Sequence, residues 1–135
     1  MRGWMLLTLA LSLAACTGSY EPAPLTEKQM SRLEKELAGK EPGEKTSCIN
    51  RFPSTTMRVI SDNVLIYRVS GKLVYRNDLI GSCSGLSRGD ALVIRTFNSQ
   101  YCRGDIAQAV DMTTRIPGGS CALGDFTAYR TPPKQ

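Results

Sequence analysis

The sequence predicts a mainly β domain: a small antiparallel sheet or barrel, stapled by two disulfides and preceded by one short N-terminal helix. Three observations lead there. From residue 48 onward the chain runs in short apolar, β-branched stretches divided by turn residues, the pattern of a small all-β unit. Four cysteines are spread across that region, and an even set in an exported chain reads as a disulfide framework. Ahead of them, apolar residues between positions 26 and 38 recur at helical spacing.

The chain has 135 residues, enough for one domain and not two. The packed unit is expected at residues 48–130, with 131–135 as a tail. A core of that size leaves folding marginal on hydrophobic burial alone, which gives the disulfides their purpose.

The first element is an address. Met1-Arg2 gives a positive start, and residues 4–13 form an apolar run of about ten residues. That is too short for a membrane-spanning helix of roughly 20 residues and fits a signal-peptide core. The run ends in Leu13-Ala14-Ala15-Cys16, which resembles the lipobox of bacterial lipoproteins: Leu, two small residues and an obligatory Cys. The resemblance implies a signal peptide at 1–15, cleavage before Cys16, a diacylglycerol on its thiol and an acyl chain on its freed amine. Several chains on one residue anchor durably, since each buried methylene contributes about 0.8 kcal/mol. Thr17 stands where an Asp would be the usual inner-membrane retention signal, so the expected address is the periplasmic face of the outer membrane.

Residues 16–47 read as a tether carrying one short helix. The stretch 17–24 is polar with two prolines. The helix, at about 26–38, opens on a capping box of Thr26 with Gln29 three residues on, and Leu25 can staple against Met30. Met30, Leu33 and Leu37 fall on one face, and Gly39 marks the stop. That stripe is expected to dock on the chain's own domain, with a partner or the membrane surface as alternatives. Residues 40–47, with Pro42 and Gly43, read as a charged linker.

Within the β domain, residues 56–60 form the first expected strand and Asp62-Asn63 a turn. Stretches 64–69 and 72–76 flank Ser70-Gly71 as a hairpin. A two-residue loop places Val64, Ile66, Leu73 and Tyr75 on one face with Arg68. The other face then holds Leu65, Tyr67, Val69 and Val74 with Lys72 and Arg76. Both faces are largely apolar, as in a closed barrel or a covered sheet. A three-residue loop shifts the register and brings more of the basic residues together; the sequence leaves that choice open.

In the second half Gly89-Asp90, Gly104-Asp105 and Gly124-Asp125 each follow a cysteine and lead into an apolar segment. Gly permits a tight turn and Asp can bond the neighbouring backbone, so each step opens a strand. Residues 106–112 are read as a strand, with a short helix capped by Asp105 as the alternative.

Setting Cys16 aside leaves Cys48, Cys83, Cys102 and Cys121. The sequence has no His and no Cys-x-x-Cys pair, so a zinc site is not expected. Three pairings are possible. Cys83–Cys102 with Cys48–Cys121 is favoured because it nests one loop inside the other, each bridge contributing about 2–4 kcal/mol.

The chemistry is sparse. Without His the commonest general base and the usual serine and cysteine triads are missing, and oxidised cysteines offer no thiolate. Asp78, Asp105, Asp111 and Asp125 could pair as glycosidase carboxylates, but three of them sit at turns or strand edges, where structural roles dominate. Arg88-Gly89-Asp90 and Arg103-Gly104-Asp105 match the integrin tripeptide, a three-residue coincidence. No enzymatic activity and no cofactor are expected. The better lead is aromatic: Tyr67, Tyr75, Tyr101 and Tyr129 lie in or beside strands, and any that face outward near Arg68 or Arg76 would suit a protein or glycan partner. The net charge of +5 describes a mixed, solvated surface, and the lack of a Lys/Arg run argues against nucleic acid.

Several stretches together carry a family likeness: Cys48-Ile49, Gly71-Lys72-Leu73-Val74-Tyr75-Arg76-Asn77, Cys83 with Gly85-Leu86, Tyr101-Cys102-Arg103-Gly104-Asp105-Ile106, and Cys121-Ala122-Leu123-Gly124-Asp125-Phe126. On these the chain resembles an uncharacterised family of small exported Gram-negative proteins, a domain of unknown function. The likeness supports the domain boundary and the disulfides and implies no catalytic residue. The functional expectation is a lipid-anchored periplasmic protein that binds or supports an envelope component, with the membrane as one partner through Cys16 and an envelope protein or glycan as another. The alternative is an inhibitor of a cell-wall-degrading enzyme, because Ser70-Gly71-Lys72-Leu73-Val74-Tyr75 resembles the Ser-Gly-rich loop of small lysozyme-blocking lipoproteins; a basic inhibitor would lose electrostatic steering toward a basic lysozyme. A small hydrolase is a distant third.

Overall fold

The computed structural model describes Gly18 and residues 21–135. The expected signal peptide at 1–15 and the lipidation site Cys16 lie outside the described residues.

Helix α1 (Glu27–Leu37) begins as its sequence dictates. Gln29 N–H donates to Thr26 Oγ1 at 3.3 Å and Thr26 N–H to Gln29 Oε1 at 2.9 Å, both halves of the capping box. The helix stops at Gly39, whose φ of +70° is left-handed.

Strands β1 (Glu41–Thr46), β3 (Thr56–Val59), β4 (Val64–Ser70), β5 (Leu73–Asp78) and β10 (Phe126–Arg130) build a five-stranded antiparallel sheet in the order β1-β10-β5-β4-β3. Strands β6 (Ala91–Arg95), β8 (Ile106–Val110) and β9 (Pro117–Ala122) form a second sheet in the order β6-β8-β9. A bridge between Ile80 and Ala122 joins it to the chain leaving β5. Strands β2 (Cys48–Asn50) and β7 (Gln100–Cys102) make a short ribbon. Strands β6, β8 and β10 each start one residue after a Gly-Asp step. Residues 106–110 are therefore strand.

The β4–β5 hairpin resolves the register the sequence left open. Its tip is the two-residue turn Gly71-Lys72, closed by Ser70 opposite Leu73. A bulge between Arg68 and Ser70 then shifts the pairing, so that Tyr67 faces Tyr75 and Ile66 faces Arg76. The body of the hairpin thus has the register of a three-residue loop. Leu65, Tyr67, Tyr75 and Asn77 share the inner face; Val64, Ile66, Val74, Arg68 and Arg76 share the outer one.

Each face has its own core. Leu65, Tyr67 and Phe126 pack against Ala107, Ala109, Cys121 and Leu123 between the two sheets. On the outer face Ile60, Val64, Ile66 and Val74 receive Leu33 of α1, with Leu25, Leu37 and Tyr129 around it. The helix therefore docks on its own domain, and Glu36 pairs with Arg68 across that contact. Both cores, both disulfides and all the strands named lie between Leu25 and Arg130.

Two expectations are corrected. The bridges are Cys48–Cys102 and Cys83–Cys121, not Cys83–Cys102 with Cys48–Cys121. Cys48 and Cys102 stand opposite each other across the β2–β7 ribbon, and the Ile80–Ala122 bridge carries Cys83 to β9. Strand pairing decides the partners, and the loops interlock. Residues 40–47 are not a linker: β1 lies within them and pairs with β10, Pro42 standing opposite Tyr129 and a bulge at Gly43-Glu44 shifting the register before Lys45. All six residues of β1 are exposed, so backbone pairing alone makes it a strand. The folded domain begins at the helix, not at Cys48.

Candidate binding groove

The two sheets do not close on each other. Strand β3 is one edge of the five-stranded sheet and β6 one edge of the three-stranded sheet, and they are not hydrogen-bonded to each other. Between them lies an open groove of about 460 Å³, inside the range of small-molecule sites. Met57 of β3 and Leu92 and Ile94 of β6 form its apolar walls.

The β2–β7 ribbon closes one end. The Cys48–Cys102 bridge and a 2.9 Å hydrogen bond from Gln100 Nε2 to Asn50 Oδ1 hold the ribbon together. The loop after β2 is pinned by Arg51 N–H to Ser99 O at 3.1 Å and turned by Thr55 N–H to Phe52 O at 2.9 Å. This loop delivers Arg51, Phe52 and Thr55 to the groove. The Arg51 guanidinium lies 5.1 Å from the Tyr101 ring centre, a cation–π distance. It forms no ion pair with any described residue. Phe52 is half exposed at the boundary with a second groove of about 610 Å³, lined by Glu44, Asn50, Tyr75, Gln100 and Arg130 among others.

Tyr67 forms part of the groove wall and is 1% exposed. Its ring is tilted against Tyr101 at 5.5 Å and meets Phe126 edge-on at 5.6 Å. Its hydroxyl has no hydrogen-bond partner among the described residues. Burial pushes the phenol pKa up, and the nearby Tyr101 and Asp105 add to the effect, so the group is a protonated donor. Thr55 Oγ1, on the same groove, is likewise buried and unpartnered. Among the described residues only three buried side-chain polar atoms lack a partner, and two of them line this groove. Buried polar groups are otherwise paired, so the coincidence marks the place.

The remaining candidates fall elsewhere. The four disulfide cysteines hold β2 to β7 and the segment after β5 to β9. Asp78 and Asp125 come together around a shallow surface depression with Lys45 and Arg103. Each is already paired, Asp78 with Arg76 at 2.8 Å and Asp125 with Arg103 at 2.7 Å. Asp105 accepts from Cys102 N–H at 2.9 Å. Asp111 accepts from Thr113 and Thr114 N–H, bonds that hold its carboxyl below the usual range. Among the described residues no cluster of His, Cys, Asp and Glu is arranged to hold a metal, and no helix is long and apolar enough to cross a membrane.

Of the four tyrosines, Tyr67 and Tyr101 meet at the groove, Tyr75 packs edge-on against Phe126 and Tyr129 packs beside the helix. Arg68 and Arg76 are on the opposite face of the hairpin from Tyr67 and Tyr75. Arg76 instead lies beside Tyr129 on that outer face, and the cation beside an aromatic at the groove is Arg51. Neither Arg51 nor Thr55 stands out in the sequence; what brings them to Tyr67 and Tyr101 is the ribbon. Compared with protein-family models, with curated proteins and with solved structures, the chain matches none.

Proposed function

We propose that this chain is a non-catalytic binding module of the bacterial envelope, anchored by lipid on Cys16 to the periplasmic face of the outer membrane. The observation that carries the binding half is the open groove, where two buried hydroxyls have no partner among the described residues and a guanidinium without a carboxylate partner among them lies over Tyr101. Unsatisfied buried donors cost stability, and a bound ligand would satisfy them. The anchoring half rests on the lipobox at Leu13 to Cys16. Between that cysteine and the N-cap Thr26 lie nine residues, so the module would sit close to the membrane.

In-cell photo-crosslinking tests the binding half. A photoreactive residue replacing Phe52 is expected to yield a discrete adduct, and one replacing the exposed Met112 of the β8–β9 turn is expected to yield none. Equal labelling from both, or none from either, would remove the groove from the account. Mass spectrometry of the membrane fraction tests the anchor: the expected N-terminal residue is an acylated Cys16, and an unmodified thiol there would overturn it.

A further inference from the structure

We infer that the groove between β3 and β6 binds a single-chain fatty-acid carboxylate. The inference rests on the binding-module reading and names its ligand class. Three requirements are set by the groove itself. Its long walls are apolar, built from Met57, Leu92 and Ile94, and are satisfied by hydrocarbon rather than by a hydrated ligand. Its buried hydroxyls, Tyr67 Oη and Thr55 Oγ1, have no hydrogen-bond partner among the described residues. Arg51, on the loop that also carries Thr55 and lining the same groove, has no carboxylate partner among the described residues and is held over Tyr101.

A fatty-acid carboxylate meets all three. A carboxylate is acceptor-only, with two oxygens and about four lone-pair sites, and takes several donors at once, a guanidinium among them. A sugar would meet the donors but would place hydroxyls against Met57, Leu92 and Ile94. A neutral hydrocarbon would meet the walls but leave the hydroxyls and the cation unanswered. The carboxylate therefore meets Arg51 first, and the Thr55 and Tyr67 hydroxyls, closed to solvent as they stand, turn to it as it enters, while the acyl chain runs along the gap between the sheet edges. Tyr67 suits the role because its phenol stays protonated and can only donate to an anion.

The test uses residues 21–135, which contain both cores and both disulfides, and sodium dodecanoate below its micellar concentration, followed by calorimetry and by NMR shifts. Saturable one-to-one binding is expected, with shifts at Met57, Leu92 and Ile94. Arg51→Gln and Tyr67→Phe should each weaken it about tenfold, the usual scale for a hydrogen bond to a charged group. Dodecanol, which has the chain without the charge, should bind at least as weakly as dodecanoate does to Arg51→Gln. Failure of dodecanoate to saturate, or binding that neither variant changes, overturns the inference. If an oligosaccharide or a peptide shifts the groove residues where dodecanoate does not, the ligand class is wrong and the binding-module reading stands.

Discussion

Asn77 and Gly124 hold each other through two hydrogen bonds, Gly124 N–H to Asn77 Oδ1 at 2.9 Å and Asn77 Nδ2–H to Gly124 O at 2.8 Å. Asn77 is fully buried near the end of β5, and Gly124 lies in the turn that opens β10. The side chain thus acts as a short piece of backbone, tying the last turn of the chain into the sheet. A side chain at position 124 has no room, since a Cβ there would stand 2.0 Å from Asp78 O.

Asn77→Ala leaves two buried backbone groups unsatisfied and should cost about 3 kcal/mol at the scale of such groups. Gly124→Ala should cost more, because backbone must move. Urea unfolding midpoints with unchanged slopes check both; an Asn77→Ala loss under 1 kcal/mol would contradict the bridging role.

Much of this fold is legible in sequence where side chains are buried in a regular period. Leu33 on the helix and Leu65, Ile66 and Tyr67 on β4 announce their elements because burial repeats along them. Strand β1 does not, since Glu41–Thr46 buries no side chain and contains Pro and Gly; its only signal is hydrogen bonding to β10, which lies about 85 residues away in sequence and leaves no local trace. The three Gly-Asp steps are readable, yet their glycines serve different ends. Gly89 and Gly104 have φ of +108° and +90°, whereas Gly124 is needed for close approach. The groove is the least legible part, because Arg51, Tyr67, Leu92 and Tyr101 come from four separate segments and only the ribbon and the two sheet edges bring them together.

The disulfide pairing is checked by proteolysis without reduction. Cross-linked peptides joining Cys48 to Cys102 and Cys83 to Cys121 are expected; a peptide joining Cys83 to Cys102 would contradict the strand pairing. Replacing Cys83 and Cys121 together by Ala should cost about 3–4 kcal/mol, as expected for a bridge spanning 38 residues.

Helix docking is expected to stabilise the outer sheet face. Leu33, 4% exposed, should cost about 2–3 kcal/mol as Leu33→Ala through lost burial and the cavity left. Glu36→Gln should cost under about 1 kcal/mol, because the Arg68 side chain it meets is 41% exposed and solvent screens the pair. Equal losses for the two variants would show that the ion pair, and not apolar packing, seats the helix.

Alkaline conditions should destabilise the domain through Tyr67. Burial raises its phenol pKa above the ordinary value of 10.0, so the folded state retains a proton that the unfolded state gives up. That contribution is whole below pH 10 and lost as pH rises through the folded value. Melting temperatures should therefore fall above about pH 10, with a phenolate absorbance step coinciding with unfolding. Tyr67→Phe should show a smaller step and a flatter pH dependence; an unchanged profile would place the effect elsewhere.

The central claim is that the Tyr67 hydroxyl is held without a partner for the sake of a ligand. Thermal unfolding of ligand-free Tyr67→Phe at neutral pH tests it most directly. Removing an unsatisfied buried hydroxyl while keeping the ring should leave the melting temperature unchanged or raise it by a few degrees. A fall of several degrees would show that the hydroxyl serves the fold, and would contradict the claim.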